Sequence, residues 1–198
     1  MMNNTPQVSL VTVVRNGAAH VEKCISSVLN QTYPDIEYII IDGGSTDGTL
    51  SIINKYKTRI AVIVSEPDKG IADAFNKGLK LAQGEITGLL NADDWLEPDA
   101  VMNIVATIGS NDILYGNMRQ WNPGGTKYIL TGNHLRLPKG MSLNHPSVFI
   151  RKRVYQKVGY YNTNYKLAMD YEFLLRCFLA GATFKRIDKL LTNMKTAT

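Results

Sequence analysis

In this 198-residue chain an apolar run over residues 86–90 ends in two adjacent carboxylates, Asp93 and Asp94. Like charges side by side repel unless a cation or a hydrogen-bond donor compensates them, so the pair marks a place where positive charge is wanted. Asp42 likewise closes the apolar run 36–41 and opens Asp42-Gly43-Gly44-Ser45-Thr46-Asp47-Gly48-Thr49, where glycines let backbone approach a ligand closely. A further acid, Asp170, stands near the start of the apolar stretch 168–179. Each has a plainer use as well: Asp94 and Asp170 as helix caps, and the Asp42 loop as a tight turn.

The elements that must hold these acids alternate between strand and helix patterns. Residues 8–14, apolar and β-branched, predict a strand buried on both faces. A turn at Arg15-Asn16-Gly17 leads to a helix over 18–30, with Val21, Cys24, Ile25, Val28 and Leu29 at helical spacing. Residues 36–41 predict the next strand, and Ser45 or Thr46 caps a helix starting near Asp47. A strand over 60–64 precedes a helix carrying Ile71, Ala74, Phe75, Leu79 and Ala82. On that helix Asp73, Asn76 and Lys80 share a face, so the first two either look toward the strand ends or, equally, are solvated. Residues 96–99 read as the first turn of a following helix, with Pro98 where its missing N–H costs least.

This βα repetition predicts an α/β fold with a mostly parallel central sheet. In such sheets ligands bind outside the carboxyl ends of the strands, where Asp42 and Asp93 fall. Further strands are expected at 113–118, 127–130 and 183–187, and helices at 151–158 and 168–179. Between 131 and 144, Gly132, Pro138 and Gly140 interrupt any pattern, and this stretch reads as a flap over the site.

Composition narrows the classes. With 44% hydrophobic residues the chain can bury a full core. No run is long enough to span a bilayer, and the N-terminus lacks the basic start and apolar stretch of a signal peptide, so a cytoplasmic location is expected. The C-terminal residues, ending Lys195-Thr196-Ala197-Thr198 without a closing element, are read as a shortened end. Cys24 and Cys177 sit among apolar neighbours without metal-ligand spacing and are expected as buried thiols. Residues 1–117 carry 8 Lys and Arg against 14 Asp and Glu, a net −6, whereas 118–198 carry 14 against 3, a net +11. Such asymmetry predicts that the second part meets something anionic, with an ordinary solvated basic face as the alternative.

Taken together, the first strand, the Asp42 loop, Asn91-Ala92-Asp93-Asp94 and Ala168-Met169-Asp170 resemble, in that order, the family-2 glycosyltransferases of GT-A fold that build bacterial surface polysaccharides. Ser65-Glu66-Pro67-Asp68-Lys69-Gly70-Ile71 and Asp73-Ala74-Phe75-Asn76-Lys77-Gly78 carry the most specific part of the resemblance. It implies a Rossmann-like three-layer sandwich, with residues 1–117 binding a nucleotide-sugar donor and 118–198 supplying the acceptor site and the base.

Residue by residue, the resemblance implies that Val13, Arg15, Asp42, Gly43, Asp68, Lys69, Asp73, Asn76, Asn91, Ala92 and His145 contact substrate. Asp93, with Asp94, would hold Mg²⁺ or Mn²⁺ against the donor diphosphate, and Asp170 would deprotonate the acceptor. The chain departs from the family pattern at Gly43 (commonly a second acid), at Arg15 (often an aromatic), at Asn91 (the first acid of D-x-D) and at Met169 (Glu in a Glu-Asp pair). The processive-synthase motif Gln-x-x-Arg-Trp is absent, which implies transfer of single sugars.

Implied partners are a UDP-sugar donor and a saccharide or lipid-linked acceptor, with peripheral association at the inner membrane face and no nucleic acid. Two other readings stay open: a catalytically silent binder of sugar nucleotides or polysaccharide, and a sugar nucleotidyltransferase. The second would need a glycine-rich, Arg-containing loop after the first strand, and Val14-Arg15-Asn16-Gly17-Ala18 is a poor one.

Overall fold

The computed structural model describes residues 7–122, 124–125 and 127–195; the N-terminal residues 1–6 and the end at 196–198 lie outside the described residues. The strands are β1 (Val8–Val14), β2 (Ile36–Asp42), β3 (Val62–Ser65), β4 (Ile86–Asn91), β5 (Asp94–Leu96), β6 (Ile113–Trp121), β7 (Lys127–Leu130), β8 (Val148–Arg151) and β9 (Phe184–Lys195). The helices are α1 (Val21–Leu29), α2 (Thr49–Lys55), α3 (Ile71–Leu81), α4 (Ala100–Ile108), α5 (Lys152–Val158) and α6 (Met169–Leu179).

A single sheet runs in the order β3-β2-β1-β4-β8-β6-β9-β5, with β7 on β6. The β3-β2-β1-β4 half is parallel throughout. Strand β8 inserts antiparallel between β4 and β6, and β6 and β9 run parallel again. Residue 117, the boundary read from the sequence, lies within β6.

Period-2 alternation along the buried strands divides the core into two layers. Val11, Val13, Ile39 and Ile41 face Phe75 and Leu79 of α3, Val154 of α5 and Phe173 of α6. Leu10, Ile40 and Leu90 face Ile25 of α1, Ile53 of α2 and Ile104 of α4. The result is the three-layer α/β/α arrangement. Gly88 permits the close approach of β8, since a Cβ there would lie 2.4 Å from the Phe149 ring. Cys24 and Cys177 are free, buried thiols, and burial pushes both up to about 12, so neither is a nucleophile at neutral pH.

Several boundaries differ from the sequence reading. Residues 96–99 do not begin a helix: Asp94–Leu96 form β5 against Thr192–Met194 of β9, and α4 starts only at Ala100. The last strand is 12 residues long, because β6 offers it a partner over its whole length. The 131–144 stretch contains a 3-10 turn, His134–Lys139, pinned by buried Leu137, whose carbonyl accepts a 3.0 Å bond from the Tyr171 hydroxyl.

Candidate active site

The carboxyl ends of β1 and β4 and the β3–α3 loop enclose a cavity of about 510 Å³, lined among others by Val13, Arg15, Asn16, His20, Asp68, Asn91, Ala92 and Asp93. Asn16 anchors the first wall. It adopts a left-handed backbone (φ 50°), its side-chain oxygen accepts from Thr46 N–H at 2.8 Å, and its own N–H reaches Ser45 Oγ at 2.8 Å. Asparagine is one of the few non-glycine residues that adopt that region readily, and these two bonds hold it there.

Asp42 does not face this cavity. Its carboxylate is fully buried and accepts from Ser45 N–H at 3.1 Å, from Ser65 Oγ at 2.6 Å and from Ser45 Oγ. Those donors satisfy the buried carboxylate, and the side chain braces the loop. Beside it, Gly43 has no side chain, and Asp68 occupies the space: a Cβ at residue 43 would lie 2.1 Å from Asp68 Oδ2. The acid absent at Gly43 therefore has a counterpart in Asp68, which lines the cavity and whose other oxygen accepts from Gly70 N–H at 2.8 Å.

Three further residues read as contacts are structural or peripheral. Asp73 accepts from Lys69 N–H at 3.1 Å and pairs with Lys77 at 3.7 Å, closing the start of α3. The Lys69 side chain is not part of the cavity wall, and Asn76 is buried, exchanging bonds of 2.8 and 3.0 Å with the backbone of Tyr161. Helix α3 buries this side of its face against the neighbouring loop, which the shared spacing of Asp73 and Asn76 does not reveal.

The two adjacent acids divide. Asp93 is half-buried and opens on the cavity, whereas Asp94 is buried, its Oδ2 accepting from the backbone and side-chain nitrogens of Asn91 at 3.1 and 3.2 Å. Burial first, then the charge of Asp93, push Asp94 up to about 7. Its Oδ1 is buried without a hydrogen-bond partner. Among the described residues no group of three His, Cys, Asp or Glu side chains is close enough to hold a metal by itself. A hard cation commonly takes one or two carboxylates and completes its shell with substrate phosphates and water. Half-buried Asp93, open to the cavity, and the unpartnered Oδ1 of Asp94 next to it in the chain fit that pattern.

Asp170 lies at the start of α6, half-buried, with its Oδ1 accepting from Tyr171 N–H at 2.8 Å. Ala168, immediately before the helix, is the other non-glycine residue of positive φ among the described residues (56°). Asp170 opens into a second cavity of about 400 Å³ with His145, Phe75, Met118, Leu143 and Met194. Burial lowers the His145 pKa and the nearby Asp170 charge opposes that shift, while its Nε2 lies 3.0 Å from the Tyr161 hydroxyl. The two cavities share Ile71 and Asn91 in their walls, with Asp93 lining the first and Asp170 the second.

Sequence reasoning missed Asn16, His20 and Ile71 in these walls. Reading the residues just beyond β1 by the same strand-end rule that picked out Asp93 would have found the first two.

This fold is that of a GT-A glycosyltransferase, and the comparisons agree. Residues 9–178 match the family described as glycosyl transferase family 2. The chain belongs to that family and is a glycosyltransferase of it. It is 34% identical over 191 residues to the PGL/p-HBAD biosynthesis glycosyltransferase of Mycobacterium bovis, covering 91% of this chain and 73% of that protein. It is 34% identical over 203 residues to the hyaluronan synthase of Pasteurella multocida, covering 97% of this chain and 21% of that one. In fold it is similar to S. aureus TarS 1-349 in complex with UDP, with a TM-score of 0.81 at 22% identity, over 96% of this chain and 61% of that one. A mannosyltransferase from Pyrobaculum calidifontis, in complex with GDP-Man and Mn2+, superposes with a TM-score of 0.76 at 18% identity, over 98% of this chain and 58% of that one.

Proposed function

We propose that the chain moves a single sugar, with inversion, from a nucleotide-sugar donor to an acceptor hydroxyl in the assembly of a bacterial surface glycan. The observation that supports this reading is the shared wall of the two cavities at Asn91, with Asp93 lining the one and Asp170 the other. The first cavity, with Arg15 and Asp68 at its polar edge, takes the nucleotide, and a UDP-sugar is the donor expected. Asp93 and Asp94 are the residues that would hold Mg²⁺ or Mn²⁺ here. Such a cation, when bound, neutralises charge on a leaving diphosphate.

Asp170 accepts the proton of the acceptor hydroxyl. Its Oδ1 is engaged by Tyr171 N–H, leaving the other oxygen to take that proton. A positioned base contributes typically ~10²- to 10⁴-fold. His145, whose pKa burial lowers against the opposing pull of Asp170, holds its ring against Tyr161 beside that base. The net +11 of residues 118–198 supports an acceptor bearing phosphate, such as a lipid-linked diphosphate met by peripheral association at the cytoplasmic membrane face. No helix among the described residues is long and apolar enough to cross a membrane.

A thermal-shift panel of UDP-GlcNAc, UDP-glucose, dTDP-glucose and GDP-mannose with Mn²⁺ tests the donor site, because a bound ligand stabilises in proportion to its excess over Kd. One donor is expected to raise Tm in wild type and to lose its Mn²⁺-dependent increment in Asp93→Ala. No shift with any donor, or an Asp93→Ala chain that responds like wild type, overturns the assignment.

A further inference from the structure

The 3-10 turn His134–Lys139 and strand β9 border a cavity of about 470 Å³ that holds neither Asp93 nor Asp170. Its walls carry three cations, Arg136, Lys139 and Arg186, with Asn133 and Ser142 beside them, and among the described residues no carboxylate. The imbalance starts in the sequence, where no Asp or Glu occurs between Asp112 and Asp170. Compensation must therefore come from elsewhere in the chain, and little arrives. Arg186 approaches the exposed Asp188 at 3.3 Å, while Arg136 and Lys139 form no ion pair among the described residues.

The loop that presents these cations is tied at both ends. Asn133 N–H donates to the Ser142 carbonyl at 2.9 Å, Ser142 Oγ donates to the Asn133 carbonyl at 2.9 Å, and Leu135 N–H reaches Asn133 Oδ1 at 3.1 Å. Gly140 ends the turn at φ 146° and ψ 174°, a backbone essentially confined to glycine. Like charges are thus held together by a closed loop, a cost that a bound anion removes.

Two observations connect this cavity to the Asp170 side of the molecule. Met141 stands in the walls of both cavities. The carbonyl of Leu137, between Arg136 and Lys139, accepts from the hydroxyl of Tyr171, whose own N–H holds Asp170 Oδ1.

Guanidinium forks match phosphate oxygens in pairs, and a phosphate ester brings about −1.5 to −2 charge where a carboxylate brings a single one. Three cations with one partial counter-ion suit the larger charge. We infer that Arg136, Lys139 and Arg186 form an anion subsite that binds the phosphate or diphosphate of the acceptor. That the anion belongs to the acceptor rests on the transferase reading; that the cavity takes phosphate rests on its own walls. Leu135, on the same turn, is 68% exposed and offers an apolar contact to a lipid attached to that phosphate.

Calorimetry in EDTA, which withholds metal from the donor site, tests the subsite without turnover. The probes are inorganic pyrophosphate, geranyl diphosphate, glucose 6-phosphate, glucuronate and anionic phosphatidylglycerol vesicles. Saturable binding of a phosphate compound is expected. Geranyl diphosphate binding tighter than pyrophosphate identifies a lipid-linked source, and glucose 6-phosphate binding tightest identifies a phosphorylated sugar. Arg136→Gln with Lys139→Gln is expected to weaken binding at least tenfold and to raise acceptor KM by a similar factor, with Tm showing that the variant is folded. Lys185→Gln with Lys189→Gln removes the same charge from β9 outside the cavity and is expected to bind like wild type.

Equal loss in both double variants, equal binding of glucuronate, a response confined to vesicles, or no saturable binding at millimolar phosphate compound overturns the inference. If the Arg136 and Lys139 double variant loses the anion yet transfers sugar at wild-type acceptor KM, the subsite assignment fails and the transferase reading stands. If the anion binds as expected while Asp170→Asn transfers like wild type, the assigned base fails and the phosphate site stands.

Discussion

The two cavities that meet at Asn91 are built in opposite ways. On the Asp93 side the loops are cross-braced: Asn16 to Ser45 and Thr46, Gly17 N–H to Thr49 Oγ1 at 2.9 Å, Ala18 N–H to Asp47 at 3.1 Å, and Asp42 to both Ser45 and Ser65. On the Asp170 side much of the wall is loop, with apolar side chains left in solvent. Met141 is 41% exposed and Leu167 85%. A pre-braced polar cavity suits a small charged ligand whose shape does not vary, since little ordering remains to oppose binding. An exposed apolar rim beside basic Arg136, Lys139 and Lys166 suits a larger partner that covers it.

The most damaging change to this division is Asp170→Asn. It keeps the acceptor oxygen for Tyr171 N–H and removes the base, so transfer is expected to fall by ~10²- to 10⁴-fold with donor affinity unchanged. Single-turnover transfer beside calorimetric UDP binding checks this. Equal transfer by wild type and variant would remove Asp170 as the base.

Next in size is the titration of Asp94. Its unfolded value near 3.8 rises to about 7 on folding, so between those values the folded state keeps a proton that the unfolded chain has lost. Stability must then fall as pH climbs through that window and level off above it, by on the order of a few kcal/mol. Asp94→Asn, which still accepts from Asn91, is expected to flatten Tm between pH 5 and 8. Mg²⁺ or Mn²⁺ with UDP is expected to move the wild-type titration downward, because a cation beside Asp93 favours the charged form. A wild-type profile already flat would show Asp94 compensated within the protein.

How far this was legible from residues alone follows the same division. Strand β1 and the acids after β4 announce themselves because parallel strands buried on both faces are continuous apolar runs, and the polar residues ending them stand out. Strand β5 was not legible: Asp94-Trp95-Leu96 is held by Thr192–Met194, nearly a hundred residues away, and local pattern carries no trace of that partner. Nor was the inward turn of Asp42, since burial of a carboxylate depends on Ser65 arriving from the next strand. No strand was expected at Val148–Arg151, yet it is the antiparallel strand that joins the two halves of the sheet.

Gly43 and Asp68 sharpen the donor side at smaller cost. Gly43→Ala must expel the Asp68 carboxylate, with an expected loss of ~1–3 kcal/mol for an overfilled site. Asp68→Gly in the same chain is expected to return most of that stability without restoring UDP affinity. A double-mutant cycle on Tm and on binding separates the two effects. Additive losses would mean that the two positions do not share the space.

The smallest expected effect tests whether the looser wall is nonetheless held in one place where it matters. Ala168 carries a left-handed backbone directly before α6, which costs an L-residue roughly 1–2 kcal/mol. Glycine relieves that cost but adds freedom to the unfolded chain worth about 0.4–1 kcal/mol, so Ala168→Gly should leave Tm level or raise it slightly. Stability and activity are then expected to part: the freed residue lets the first turn of α6 shift, and a base displaced by even an ångström loses much of its rate advantage. A lower kcat at equal or higher Tm means the strain at Ala168 positions Asp170. An unchanged kcat means that the Tyr171 N–H bond and the packing of Met169 and Phe173 suffice to do so.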